Sequence, residues 1–115
     1  MRFFPASGLA AIIASVALAS PVALAASAEK GKAAFVKNGC WQCHGFVGQG
    51  SVTGVKLAPN PMPFDAFGIF VRNTNGSMPP YAKAILADED LADIYAYLQS
   101  MPKAPDPKSI PLLNP

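Results

Sequence analysis

Cys40-Trp41-Gln42-Cys43-His44 is the stretch that decides how this chain folds. A C-x-x-C-H run is the attachment site of a c-type haem, in which both thiols bond covalently to the porphyrin and the histidine binds the iron. The run holds the only two cysteines and the only histidine among 115 residues, so any competing use of a thiol or imidazole must share these three side chains. Thiol–disulfide exchange uses C-x-x-C at a helix start, but in a βαβ context that is missing from this sequence. A structural zinc site needs four ligands, and two thiolates with one imidazole inside five residues leave the tetrahedral shell incomplete.

Upstream of the run, the first residues read as an export signal. Arg2 supplies a positive start, Gly8 to Ala19 form an uncharged apolar run too short to span a bilayer, and Pro21 breaks it before a small-residue stretch. Two A-x-A sites follow, Ala23-Leu24-Ala25 and Ala26-Ser27-Ala28. Cleavage is expected after Ala28, because Glu29 opens the first charged segment, with Ala25 as the alternative site and an uncleaved anchor as the competing reading. No cysteine lies near the cut, so a thiol-linked lipid there is excluded. The expected organisation is a signal peptide over residues 1–28, one domain over 29–102 and a Pro-rich tail over 103–115. Export implies a periplasmic location and no stable membrane insertion after cleavage. The remaining 87 residues (115 − 28) make a single small domain, of a size that commonly needs a metal or a covalent staple. A covalent haem is both.

Net charge directs this chain to no polyanion. Nine Lys and Arg face seven Asp and Glu; without Arg2 the balance is eight to seven, or +1. Two ionised haem propionates bring that to about −1, a field too weak for nucleic acid. Lys30, Lys32, Lys37 and Lys56 lie in the N-terminal half, and Asp88, Glu89, Asp90 and Asp93 cluster near the end. Solvated faces and a negatively charged helix start account for this spread, with a docking patch as the alternative.

Helical periodicity appears on both sides of the haem run. Glu29 to Asn38 predicts a short helix closed by Gly39. Gly45, Gly48, Gly50 and Gly54 predict a loop that continues through Pro59-Asn60-Pro61-Met62-Pro63. Phe64, Phe67, Gly68 and Val71 recur at i, i+3, i+4 and i+7, which predicts a second helix over Phe64 to Arg72. A short helix is expected from Tyr81 to Leu86. The last helix carries Leu91, Ile94, Tyr95 and Leu98 as its apolar stripe, with Asp88 as N-cap and Pro102 as its stop. Beyond it, five prolines predict an extended, polyproline-like tail whose Ile110, Leu112 and Leu113 lie along the domain, stay disordered or dock a partner. No segment alternates as a strand.

With His44 used, the sixth position on the iron must be filled by another residue type. Methionine is the usual alternative, a soft uncharged thioether that favours ferrous iron and raises the reduction potential. Past the leader, Met62, Met78 and Met101 are available. Met101, at the end of the amphipathic helix, reads as a packing residue. Met62 stands only 18 residues beyond His44, with a helix still to come; Met78 stands 34 beyond, after a Gly-containing turn and before Pro79 and Pro80, which stiffen its backbone. The spacing favours Met78 over Met62, and a site in which neither binds stays open.

The order of export signal, short helix, C-x-x-C-H-G, glycine-rich loop, middle helix, G-x-M-P and amphipathic last helix resembles a class I (mono-haem) cytochrome c over nearly all of the mature chain. The resemblance implies an all-α fold of three to four short helices wrapped around one covalent haem c, with thioether links at Cys40 and Cys43 and axial ligands His44 and Met78. It also implies that the first and last helices cross, with Gly31 and Phe35 meeting Tyr95 or Tyr97. The implied activity is electron transfer, not catalysis, and no paired carboxylates, nucleophile with base or phosphate loop argues for an enzyme. Leu57 to Tyr81 and Ile110-Pro111-Leu112-Leu113 are similar to small cytochromes that serve bacterial periplasmic dehydrogenases. That similarity implies a dehydrogenase as donor and an oxidase or another cytochrome as acceptor; the alternative is a tightly bound subunit of a larger oxidoreductase. The chain departs from the family at Gly54-Val55-Lys56-Leu57, where Gly-Pro-x-Leu is usual and the proline fixes a carbonyl for the proximal histidine.

Overall fold

The computed structural model describes residues 25–114. Over this range the chain forms four α-helices, α1 (Ala28–Lys37), α2 (Cys40–His44), α3 (Phe64–Asn73) and α4 (Asp88–Ser100), followed by two single 3-10 turns at Pro107–Ser109 and Pro111–Leu113. Among the described residues there is no strand, and no helix is long and apolar enough to cross a membrane. The fold is the expected all-α one, with α1 packed mainly across α4. Most of the expected leader, residues 1–24, lies outside the described residues.

Local chemistry sets the ends of α1. The Ser27 hydroxyl accepts from the Lys30 N–H at 3.3 Å, and Glu29 complements the helix dipole in the first turn. At the other end Gly39 adopts the left-handed conformation (φ 76°) and also begins α2, so one glycine closes the first helix and aims the haem run.

The crossing of α1 and α4 fixes the core. A Cβ on Gly31 would collide with the main-chain carbonyl of Asp93, so the two backbones touch there with nothing between them. Next to that contact, Phe35 is fully buried and its ring meets Tyr97 with centroids 5.6 Å apart. Tyr97 is thus the aromatic partner at the crossing, while Tyr95 turns to α3 and packs on Phe64 (5.1 Å) and Phe67 (5.4 Å). Burying Phe35 contributes about 2–3 kcal/mol of transfer free energy.

Three local expectations are corrected. Tyr81 to Leu86 is a single turn and not a helix, with the Ile85 and Leu86 N–H groups both bonded to the Ala82 carbonyl. Its end groups are committed elsewhere: the Tyr81 N–H bonds the Val71 carbonyl, and the Tyr81 and Leu86 carbonyls accept from Arg72. Asp88 is the first residue of α4 and not its cap; its carboxylate pairs instead with Arg72 at 2.9 Å and Lys83 at 2.7 Å. The tail is not polyproline-like beyond Asp106. Pro107 and Pro111 each open a 3-10 turn, where a fixed φ suits the geometry and a missing N–H is not needed. Asp106 caps the first turn and the Asn114 amide donates to the Pro107 and Ile110 carbonyls, while Leu112 and Leu113 stay exposed.

Candidate haem site

Cys40 and Cys43 stand at i and i+3 of α2 and therefore share one face of the helix. They form no disulfide with each other, and Cys40 is half-buried and Cys43 exposed. Burial pushes the Cys40 thiol up to about 11, outweighing a main-chain hydrogen bond that acts downward. An exchange-active thiol needs the opposite shift. Among the described residues no three His, Cys, Asp or Glu side chains converge as a metal-holding group, so the zinc reading has no geometric support.

His44 is buried, and its Nδ1 lies 2.7 Å from the Val55 carbonyl oxygen. A carbonyl only accepts, so Nδ1 carries the proton and Nε2 keeps its lone pair free for a metal. The accepting residue stands where the family places its proline, and hydrogen bonding supplies the rigidity that the ring would give. Gly54 is pressed so closely on the Cys43 carbonyl and His44 Nδ1 that a Cβ would force them apart. The Ser51 N–H donates to the Gly54 carbonyl at 2.9 Å and the Gly50 N–H to the His44 carbonyl at 2.8 Å. Ser51 Oγ donates to the Cys43 carbonyl, and the Gly48 carbonyl accepts from both Leu57 and Ala58. The glycine-rich loop is thereby closed around the end of α2.

Helix α4 reaches this loop through Tyr97, whose hydroxyl donates to the Phe46 carbonyl at 2.7 Å; burial pushes the phenol upward. Phe46 in turn stacks on Trp41 at 4.5 Å.

Of the two methionine candidates, Met78 is half-buried and packs against the core, whereas Met62 is 44% exposed and lies outside it. Met101 packs against the core, as expected. The Thr74 hydroxyl donates to the Met78 carbonyl at 2.7 Å. Three residues on, the Tyr81 hydroxyl donates to the Asn38 carbonyl at 2.8 Å, two positions ahead of Cys40. Burial raises the Tyr81 phenol first, and the neighbouring Cys40 and Cys43 raise it further.

Sequence reasoning missed Arg72. Its side chain is only 14% exposed, with Nη1 2.8 Å from the Tyr81 carbonyl and 2.6 Å from the Leu86 carbonyl, and Nη2 2.9 Å from Asp88 Oδ1. Hydrogen bonds from Lys83 and then Arg72 hold the Asp88 carboxyl below its ordinary range. The available signal was that Arg72 is one of only two arginines in the sequence and stands six residues ahead of Met78.

These donors suit a covalent haem: two thiols one turn apart, an imidazole with one nitrogen engaged and the other free, and a half-buried thioether on a tethered loop. Among the described residues no fully buried side-chain N or O lacks a hydrogen-bond partner. Residues 26–98 match the family described as "Cytochrome C oxidase, cbb3-type, subunit III", which is more than half of the chain. No curated protein and no solved structure matches it. The chain therefore belongs to that family as a mono-haem class I c-type cytochrome, an all-α domain that binds one haem c and transfers electrons.

Proposed function

We propose that Cys40 and Cys43 hold the haem by thioether bonds, that His44 Nε2 and the Met78 sulfur bind its iron, and that the protein carries electrons in the periplasm from a dehydrogenase to an oxidase or another cytochrome. The observation that carries this reading is the 2.7 Å bond between His44 Nδ1 and the Val55 carbonyl. It fixes the tautomer and orientation of the imidazole and leaves Nε2 as the nitrogen available to the iron. A bound haem supplies a one-electron couple at its iron. Met78, soft and uncharged, favours the ferrous form and sets the couple high. His44 and Met78 would both be committed to holding the iron and would leave it no open position for a substrate, which favours a carrier over an enzyme. A purified holoprotein must show Soret absorbance. In Met78→Ala the reduction potential falls and added ligands gain access to ferric iron; an unchanged potential would transfer the ligand role to Met62.

The export signal belongs to the same proposal, with cleavage after Ala25. Ser27 caps α1, and its N–H donates to Asp93 Oδ1 of α4 at 2.6 Å. Cleavage after Ala28 removes both bonds and places an ammonium at the positive end of the helix, which is unfavourable. The family match also begins at residue 26. Intact-mass measurement of periplasmic holoprotein is expected to give Ala26 as first residue. A start at Glu29 restores the other site, and retention of Met1 refutes the signal.

The family description, that of an oxidase subunit, favours a second reading in which the chain is held within a larger oxidoreductase. Gel filtration of native extract separates the two. A carrier elutes near its own mass, whereas a subunit stays with its complex at high salt.

A further inference from the structure

We infer that Arg72 is a positioning residue that holds Met78 in place by gripping the main chain of the loop that carries it; this rests on Met78 being an iron ligand. Between the end of α3 and the start of α4 the chain runs through residues 74–87 without a helix, so the path of Met78 must be set by tethers. Tyr81 is held at both its main-chain groups. Its N–H bonds the Val71 carbonyl at 2.9 Å, and its carbonyl accepts from Arg72 Nη1 at 2.8 Å. The same nitrogen reaches the Leu86 carbonyl at 2.6 Å, so one guanidinium ties both ends of the turn to α3.

Pro79 and Pro80 are all that separates the gripped Tyr81 from Met78. Each proline fixes a φ angle, so the anchorage at Tyr81 is transmitted to Met78 with little slack. On the other side, Thr74 Oγ1 holds the Met78 carbonyl. The guanidinium is largely buried while its one carboxylate partner, Asp88, is 58% exposed. An exposed ion pair is worth little, so the substance of the contact is the pair of charge-assisted bonds to main-chain carbonyls. A planar fork with several fixed donors can hold two carbonyls and a carboxylate together; an ammonium cannot reproduce that geometry.

The test uses ferric holoprotein in native, Arg72→Lys, Arg72→Met, Asp88→Asn and Met78→Ala forms. It reads the near-infrared sulfur-to-iron charge-transfer band and the apparent affinity for added imidazole. Circular dichroism verifies that each variant is folded. Loss of the grip raises the population in which Met78 has left the iron, so in both Arg72 variants the band weakens and imidazole affinity rises by about tenfold or more. Asp88→Asn leaves both carbonyl bonds in place and stays within about twofold of native. Native band intensity and affinity in folded Arg72→Lys and Arg72→Met overturn the inference, as does an equal effect in Asp88→Asn. If Met78→Ala loses the band while the Arg72 variants match native, only the positioning role fails. If Met78→Ala keeps the band, the ligand assignment fails and the inference falls with it.

Discussion

Two helical glycines show how a single atom can act in opposite directions. At Gly31 an added Cβ meets the main-chain carbonyl of Asp93, which cannot move without shifting α4. At Gly68, inside α3, the nearest atom to an added Cβ is Leu91 Cδ2 at 3.8 Å, an ordinary van der Waals contact. Alanine in place of a helix-interior glycine gains roughly 0.5–1 kcal/mol from backbone entropy. At Gly31 that gain is exceeded by overpacking, which costs about 1–3 kcal/mol and more when backbone must move. Gly31→Ala is therefore expected to lower the thermal midpoint of the holoprotein by several degrees, at about 4–8 °C per kcal/mol for a domain of this size, and Gly68→Ala to raise it. Equal shifts in both variants would mean that the helix crossing yields more easily than its geometry implies.

The elements were legible in the sequence to the extent that local chemistry defines them. Helix α1 and its glycine stop, α3 and the end of α4 fall within a residue or two of expectation, because caps, apolar periodicity and prolines act over one or two turns. The haem run was legible for a different reason: cysteine, tryptophan and histidine occur nowhere else in the chain. What stayed hidden was set at a distance. Asp88 looks like a cap from its neighbours, yet its carboxylate is drawn to Arg72, 16 residues away. Tyr81 to Leu86 looks helical from composition, yet its carbonyls are taken by the same guanidinium from 9 and 14 residues away. The choice of Tyr97 over Tyr95 at the crossing needed the angle between α1 and α4, which no pattern within α4 contains. In the tail, the prolines that suggested an extended path occupy the opening positions of 3-10 turns, a placement equally compatible with their fixed φ.

At the scale of the molecule, the core is small for the chain that it must hold. Ten hydrophobic residues are buried among those described, and only Phe35, Leu86 and Leu98 are enclosed to below 2%. That cluster gathers α1, α3 and α4 with Leu86, and the loop from Gly45 to Pro63 contributes only Ala58 to it, with Leu57 packed alongside; the rest of the loop is held largely by hydrogen bonds within itself and to the end of α2. A domain of this size buries too little apolar surface to hold such a loop unaided, so the covalent cofactor must contribute to folding as well as to electron transfer. Binding that is confined to the folded state adds its free energy to stability by mass action. The Cys40→Ala, Cys43→Ala double variant, which cannot form thioether bonds, is accordingly expected to lose most of its helical circular dichroism when freed of haem at 25 °C. Titrating free haem into that variant should restore helicity in proportion to occupancy, through the retained His44. A haem-free variant that stayed helical and melted cooperatively near the holoprotein's midpoint would show that the α1–α4 crossing suffices alone, and would limit the haem to its role in electron transfer.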